Sequence, residues 1–199
     1  MDKIELEVLK EKKRIFVKMR DEVADCVLCP QLCSTRHQTV FGDGNVMSRV
    51  MFIGESPGKE EDKEGVPFVG KSGQLLNNIL SAIECKREDV YIANVIKCRP
   101  PQNRVPKFEE IANCSDFLMR QIEVVNPKYI VCLGSVASNT IVGLPVSQAR
   151  GKWFSYKHHK VLSTFHPAYL LRKPEAKKLV WEDLQLLLED MRKNGYNRT

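Results

Sequence analysis

Three polar side chains stand where apolar runs give out: Glu55 after "RVMFIG", Asn94 within "VYIANVI" and His166 after "KVLSTF". Glu55 lies in "GESPG", between Gly54 and Ser56. Two glycines and a proline in five residues fix an unusual backbone there, one that lets a ligand approach while the carboxylate points at it. The amide of Asn94 donates and accepts at once, and so matches the polar edge of a pyrimidine. His166 is locked by the following Pro167, and Phe68 offers an aromatic surface. Each has a plainer reading, as a solvated turn, a strand-end cap and a structural imidazole. Their convergence at strand ends would favour a cleft that binds a base.

The cysteines form a second set. Cys26 and Cys29 make C-x-x-C, Cys33 follows closely, and Cys98 and Cys114 form the natural completing pair. In a reducing compartment an odd count of seven reads as metal binding or inert burial, not disulfides. Spacing does not separate a four-thiolate zinc site from an iron–sulfur cluster, although the lack of a second C-x-x-C disfavours a zinc ribbon. Cys33 competes as a ligand. Cys132, inside an apolar run, reads as a core thiol and Cys85 as a helix-end residue.

The elements that must position these groups follow a βαβ rhythm. The runs "RVMFIG", "VYIANVI", "YIVCLG" and "KVLSTF" read as strands, and "SGQLLNNILSAI" and "FEEIANCSDFLMRQIEVV" carry helical periodicity between them. The expectation is an α/β single domain over residues 1–199: a central four-stranded parallel sheet flanked by helices on both faces, with its site at the carboxyl ends of the strands. Residues 1–25 read as an N-terminal surface helix (Leu9, Phe16, Met19 and Val23 inward) leading into the cysteine segment. A last helix, from about Ala176 to Lys193, should bury Trp181, Leu184, Leu188 and Met191.

At 199 residues and 43% apolar content the chain can bury one ordinary core. Its net charge of +6 on a mixed surface makes nucleic acid a reasonable partner. Nothing approaches the ~20 apolar residues of a membrane span, and the charged start lacks the apolar core of a signal peptide, so a cytoplasmic protein is expected. His37, His158 and His159 read as surface residues.

The ordered string GESPG, EED, GVPFVGKSGQLL, NVIKCRPPQNR and HPAYLLR resembles the uracil-DNA glycosylase superfamily, specifically its iron–sulfur family 4, over residues 26 to about 190. The resemblance implies a monofunctional glycosylase that hydrolyses the N-glycosidic bond of uracil in DNA and leaves an abasic site. It implies Glu55 in the water-activating motif, with Gly54 and Ser56 beside it, Phe68 stacked on the flipped uracil, Asn94 reading its edge, and His166 stabilising charge on a uracil oxygen. Leu170 aligns with a leucine that fills the gap left by the flipped base, and Arg172, Lys173, Lys177 and Lys178 would meet phosphates; the alternative is that Leu170 is core. Cys26, Cys29, Cys98 and Cys114 correspond to ligands of a structural 4Fe-4S cluster, with Zn2+ as runner-up. The best-known branch has an aspartate where Ser56 stands, which leaves the role of Glu55 open. A monomer acting on uracil-containing DNA is expected, with a sliding clamp entertained as a partner. The competing reading is a non-catalytic or covalent uracil-DNA binding protein. The covalent branch uses a histidine in the loop after NVIKCRPP, and Pro100 to Phe108 contains none.

Overall fold

The structure, a computed structural model, describes residues 2–195. Helix α1 (Lys3–Ala24) opens with a capping box between Asp2 and Glu5, and a short α2 (Pro30–Cys33) follows it. Then come β1 (Asp43–Gly44), β2 (Val50–Gly54), α3 (Lys59–Glu64), α4 (Lys71–Ala82), β3 (Tyr91–Asn94), α5 (Phe108–Val125), β4 (Tyr129–Leu133), α6 (Ser135–Val142) and α7 (Val146–Ala149). The chain continues through β5 (Trp153–Tyr156), β6 (His159–Thr164), α8 (Pro167–Arg172) and α9 (Lys177–Lys193).

The sheet order is β1-β3-β2-β4-β6-β5. The four expected strands form its parallel centre, β3-β2-β4-β6. Their sequences are almost unbroken apolar runs because helices cover both faces. Phe16, Met19, Val23, Leu118 and Ile122 of α1 and α5 pack on one face with Met51, Ile53 and Ile130. Leu76, Leu80, Leu170, Leu184 and Leu187 of α4, α8 and α9 pack on the other with Val50, Phe52 and Val131. Two antiparallel edges, β1 and β5, extend the sheet beyond the expected four strands. With two residues in β1, and β5 joined to β6 by a tight hairpin and only half buried, neither leaves a continuous apolar run to read.

Two expectations are corrected, for Trp181 and His159, and of the two readings of Leu170 its burial fits the core one. Trp181 is 47% exposed on the outer side of α9, while Leu184, Leu188 and Met191 are buried as expected. His159 is not a surface residue: it is buried, with Nδ1 at 2.5 Å from the carbonyl of Pro127. Leu170 is 1% exposed within the α4–α8–α9 core and does not present itself to a ligand, because the turn of α8 that sets His166 at its N-cap rotates Leu170 inward. Among the described residues no helix is long and apolar enough to cross a membrane.

A fully buried leucine is a stability determinant, so Leu170→Ala should cost about 2–5 kcal/mol. Thermal unfolding should shift down by on the order of 10 °C for a chain of this size. An unchanged melting temperature would remove Leu170 from the core.

Candidate active site and cysteine centre

Parallel strands deliver their carboxyl ends to one edge of the sheet, and a cavity of about 420 Å³ opens there. Its lining brings together Glu55, Ser56, Phe68, Asn94 and His166, with Tyr169, Arg172, Asn103 and Val105 at the rim. In the β2–β3 ladder Gly54 lies opposite Asn94. A side chain at Gly54 would collide with Asn94 Oδ1 and come within 2.6 Å of the Phe68 ring, so this glycine is required for close approach.

Asn94 is 2% exposed, and its Oδ1 has no hydrogen-bond partner within the protein. A buried amide oxygen left without a donor costs on the order of 1–3 kcal/mol, which points to a ligand that supplies one. Phe68 is buried and stacks on the His166 imidazole, with ring centroids 5.4 Å apart and planes at 30°. His166 is the N-cap of α8, and its Nδ1 accepts the Ala168 N–H at 3.1 Å. That bond leaves the ring proton on Nε2. Burial, reinforced by the Arg172 charge and opposed by Glu61, pushes the imidazole down to about 4, so it is neutral at physiological pH. Burial pushes the half-buried Glu55 carboxyl the other way, above the usual carboxylate range.

Several residues that support this geometry were not singled out in the sequence. Phe68 has φ +53°, a left-handed conformation costly for an aromatic residue. Arg87 stabilises that turn by donating to the carbonyls of Pro67 (2.5 Å) and Phe68 (3.2 Å), and Gly73 leaves room for it, since a Cβ there would overlap the Phe68 carbonyl. Glu61 is buried and accepts the N–H groups of Gly58, Val69 and Gly70 at 2.9–3.1 Å, so one carboxylate ties the Glu55 loop to the start of α4. Gly134 packs against His166, where an added Cβ would come within 3.0 Å of the histidine Cβ. Glu61 was visible only as part of "EED", and Arg87 lies in a loop with no pattern of its own. Of the expected DNA-facing residues, Arg172 and Lys173 are exposed, and Leu170 is not.

Cys26, Cys29, Cys98 and Cys114 line one small cavity between α2, the segment after β3, and α5, together with Cys33. Among the described residues no three metal-ligating groups already surround one point. The chemistry of the donor set nevertheless fits a thiolate centre. Three of the four sulfurs accept N–H groups: Cys98 from Arg36 at 3.0 Å, Cys114 from the backbone of Lys97 at 3.3 Å and Cys29 from Asn113 at 3.6 Å. Cys33, by contrast, donates its thiol to the carbonyl of Cys26 at 3.5 Å. Burial pushes Cys98 up to about 11 against the pull of Arg36, so a bound cation would have to drive thiolate formation. Cys132 and Cys85 are buried away from this centre.

Comparison with known proteins agrees with this geometry. The family model described as "Uracil DNA glycosylase superfamily" matches residues 41–185. A "Type-4 uracil-DNA glycosylase" of Thermotoga maritima is 45% identical, over 88% of this chain and 94% of its own. A protein of the same description from Archaeoglobus fulgidus is 40% identical over 84% and 89%, and one from Sulfurisphaera tokodaii is 39% identical over 86% and 83%. With a buried amide, an imidazole stacked on a phenylalanine and a carboxylate at the strand ends, the chain belongs to the uracil-DNA glycosylase superfamily, in its type-4 branch.

Proposed function

We propose that the chain removes uracil from DNA by hydrolysing the bond between N1 of the base and C1′ of the sugar. The observation that carries the reading is the buried, unpartnered Oδ1 of Asn94. Uracil offers N3–H to that oxygen and O4 to the amide N–H. Cytosine offers an acceptor and a donor in the reverse order, so it is rejected by unpaired polar groups on both sides. The target base must leave the stack to reach this cavity, and Phe68 receives its face.

Bond cleavage sends the electron pair of C1′–N1 into the uracil ring, where it spreads onto O2, while the sugar becomes oxocarbenium-like. His166 meets the developing oxyanion with its Nε2–H as a neutral donor already in place. Water then adds to C1′ and its proton passes to the Glu55 carboxylate, which burial has made the stronger base. None of the described residues lining the cavity is a lysine, which supports a monofunctional enzyme without a Schiff-base step. Arg172, which lines the cavity, and the exposed Lys173 next to it in the chain suit phosphate contacts in a monomeric cytoplasmic enzyme.

A labelled oligonucleotide with one uracil, incubated with the protein and then treated with alkali, tests the activity. Multiple turnover with alkali-dependent breaks is expected, and Asn94→Ala or His166→Ala should lower kcat by about 10²–10³. Tight uracil-dependent retention without release of the base would leave the binding protein instead.

The acid side of the pH profile follows from the two shifts. Glu55 must be ionised, and its raised pKa means kcat/KM falls as pH drops through a value above the ordinary carboxylate range. His166 stays neutral down to about pH 4 and contributes no limb near the ordinary histidine value. Glu55→Gln should abolish the limb as well as lower the rate; a limb that survives in this variant rules out Glu55 as its source.

For the cysteines we infer a structural 4Fe-4S cluster held by Cys26, Cys29, Cys98 and Cys114. When bound, such a cluster cross-links the N-terminal segment to the chain on either side of residues 99–113, and hydrolysis needs no electron from it. Metal analysis of Cys98→Ala should show iron lost together with thermal stability, while Cys33→Ala should keep its iron. Zinc in the wild type, or iron lost equally from both variants, would overturn this ligand set.

A further inference from the structure

With Leu170 in the core, the space that a departing nucleotide leaves in a duplex falls to another side chain. Replacing part of the lost stacking with an apolar side chain is a general solution to kinking and flipping. Such a side chain must be apolar, exposed, at the cavity mouth and rigidly held. Val105 is 64% exposed and lines the cavity. Tyr169 also lines it, but one face of its ring is already engaged, stacked on Phe165 at 4.9 Å. Leu171 and Phe108 are exposed but do not line the cavity.

The segment that carries Val105 is unusually constrained. Gln102 and Asn103 both have left-handed backbones, φ +55° and +54°, a costly pair for residues other than glycine. Pro100, Pro101 and Pro106 limit the backbone on either side. The Arg99 side chain donates to Asn103 Oδ1 at 2.8 Å. Arg104 grips the buried carboxylate of Glu110 through two bonds of 2.6 and 2.8 Å, and also donates to the carbonyl of Val105 at 3.1 Å. Glu110 in turn accepts the N–H of Lys107 at 2.8 Å. A solvent-facing valine is thus held on a strained, pinned loop beside the base pocket. Arg172 lines the same cavity and is exposed, so its cation can meet the phosphates of a duplex.

We propose that Val105 enters the duplex at the flipped nucleotide and sets how well the enzyme works on paired relative to unpaired uracil. The proposal rests on the glycosylase reading above. Initial rates would be measured for wild type, Val105→Ala, Val105→Leu and Tyr169→Ala on one sequence as a U·A duplex, a U·G duplex and a single strand. The ratio of the U·A rate to the single-strand rate should fall about tenfold in Val105→Ala, because only the paired substrate requires unstacking. The fall should be smaller for the weaker U·G pair, and Val105→Leu should restore the ratio. With 2-aminopurine beside the uracil, the fluorescence gain on saturating the duplex with protein should shrink in Val105→Ala. An unchanged ratio and fluorescence in Val105→Ala, or a selective fall in Tyr169→Ala alone, would overturn the assignment. A wild type inert on all three substrates would instead remove the glycosylase reading, and this proposal with it.

Discussion

The missing side chain at Gly54 is the constraint on which the site depends. Register in the β2–β3 ladder places Gly54 beside Asn94, and the absence of a Cβ lets the amide and the Phe68 ring close on the same point. Past the ends of both strands the two segments stay tied, because the carbonyls of Gly54 and Glu55 accept the N–H groups of Val95 and Ile96 at 2.9 and 3.2 Å. Carboxylate and amide are therefore fixed by the same backbone bonds that hold the central strands. Any larger residue at position 54 would have to displace Asn94 or Phe68.

The segment after β3 ties this pocket to the cysteine centre. Lys97 is fully buried and turns its ammonium back to the carbonyl of Asn94 at 2.7 Å and to Gln121 at 2.5 Å, while its backbone N–H meets the sulfur of Cys114. Gln121 then reaches Phe41 and Tyr91 through its amide nitrogen. Burying an ammonium is unfavourable, and desolvation pushes Lys97 down to about 8. Its bonds to two oxygens offset part of that cost and set the exit of β3 at one angle. A cluster at Cys98 and Cys114 would restrain the same exit from its other side.

The sequence exposed the parts of this design that rest on uninterrupted patterns. Four apolar runs gave the four parallel strands, since a strand covered on both faces is mostly apolar, with its polar residues, such as Asn94, Ser163 and Thr164, towards the carboxyl ends. Glu55, Phe68, Asn94 and His166 do line one cavity. What the pattern hid is equally physical. The edge strand β5 is half exposed, and its residues in "WFSY" follow no strong alternation. Leu170 and Leu171 are indistinguishable as letters, and only the phase of α8 buries the first and exposes the second. Arg87 and Glu61 act through backbone groups of other segments, contacts that no local spacing reveals.

The neutral state of His166 follows from two features of its surroundings. A cationic imidazole would attract an anion more strongly, but it would have to be desolvated beside Arg172. It would also need a proton on Nδ1, where the Ala168 N–H now points. The N-cap bond and the burial thus select the same tautomer, with the remaining proton on Nε2. A neutral donor gains little from a neutral base and much more once charge has moved onto the departing ring. In the proposed reaction the interaction would therefore strengthen as the bond breaks, which is the condition for lowering a barrier instead of only tightening binding.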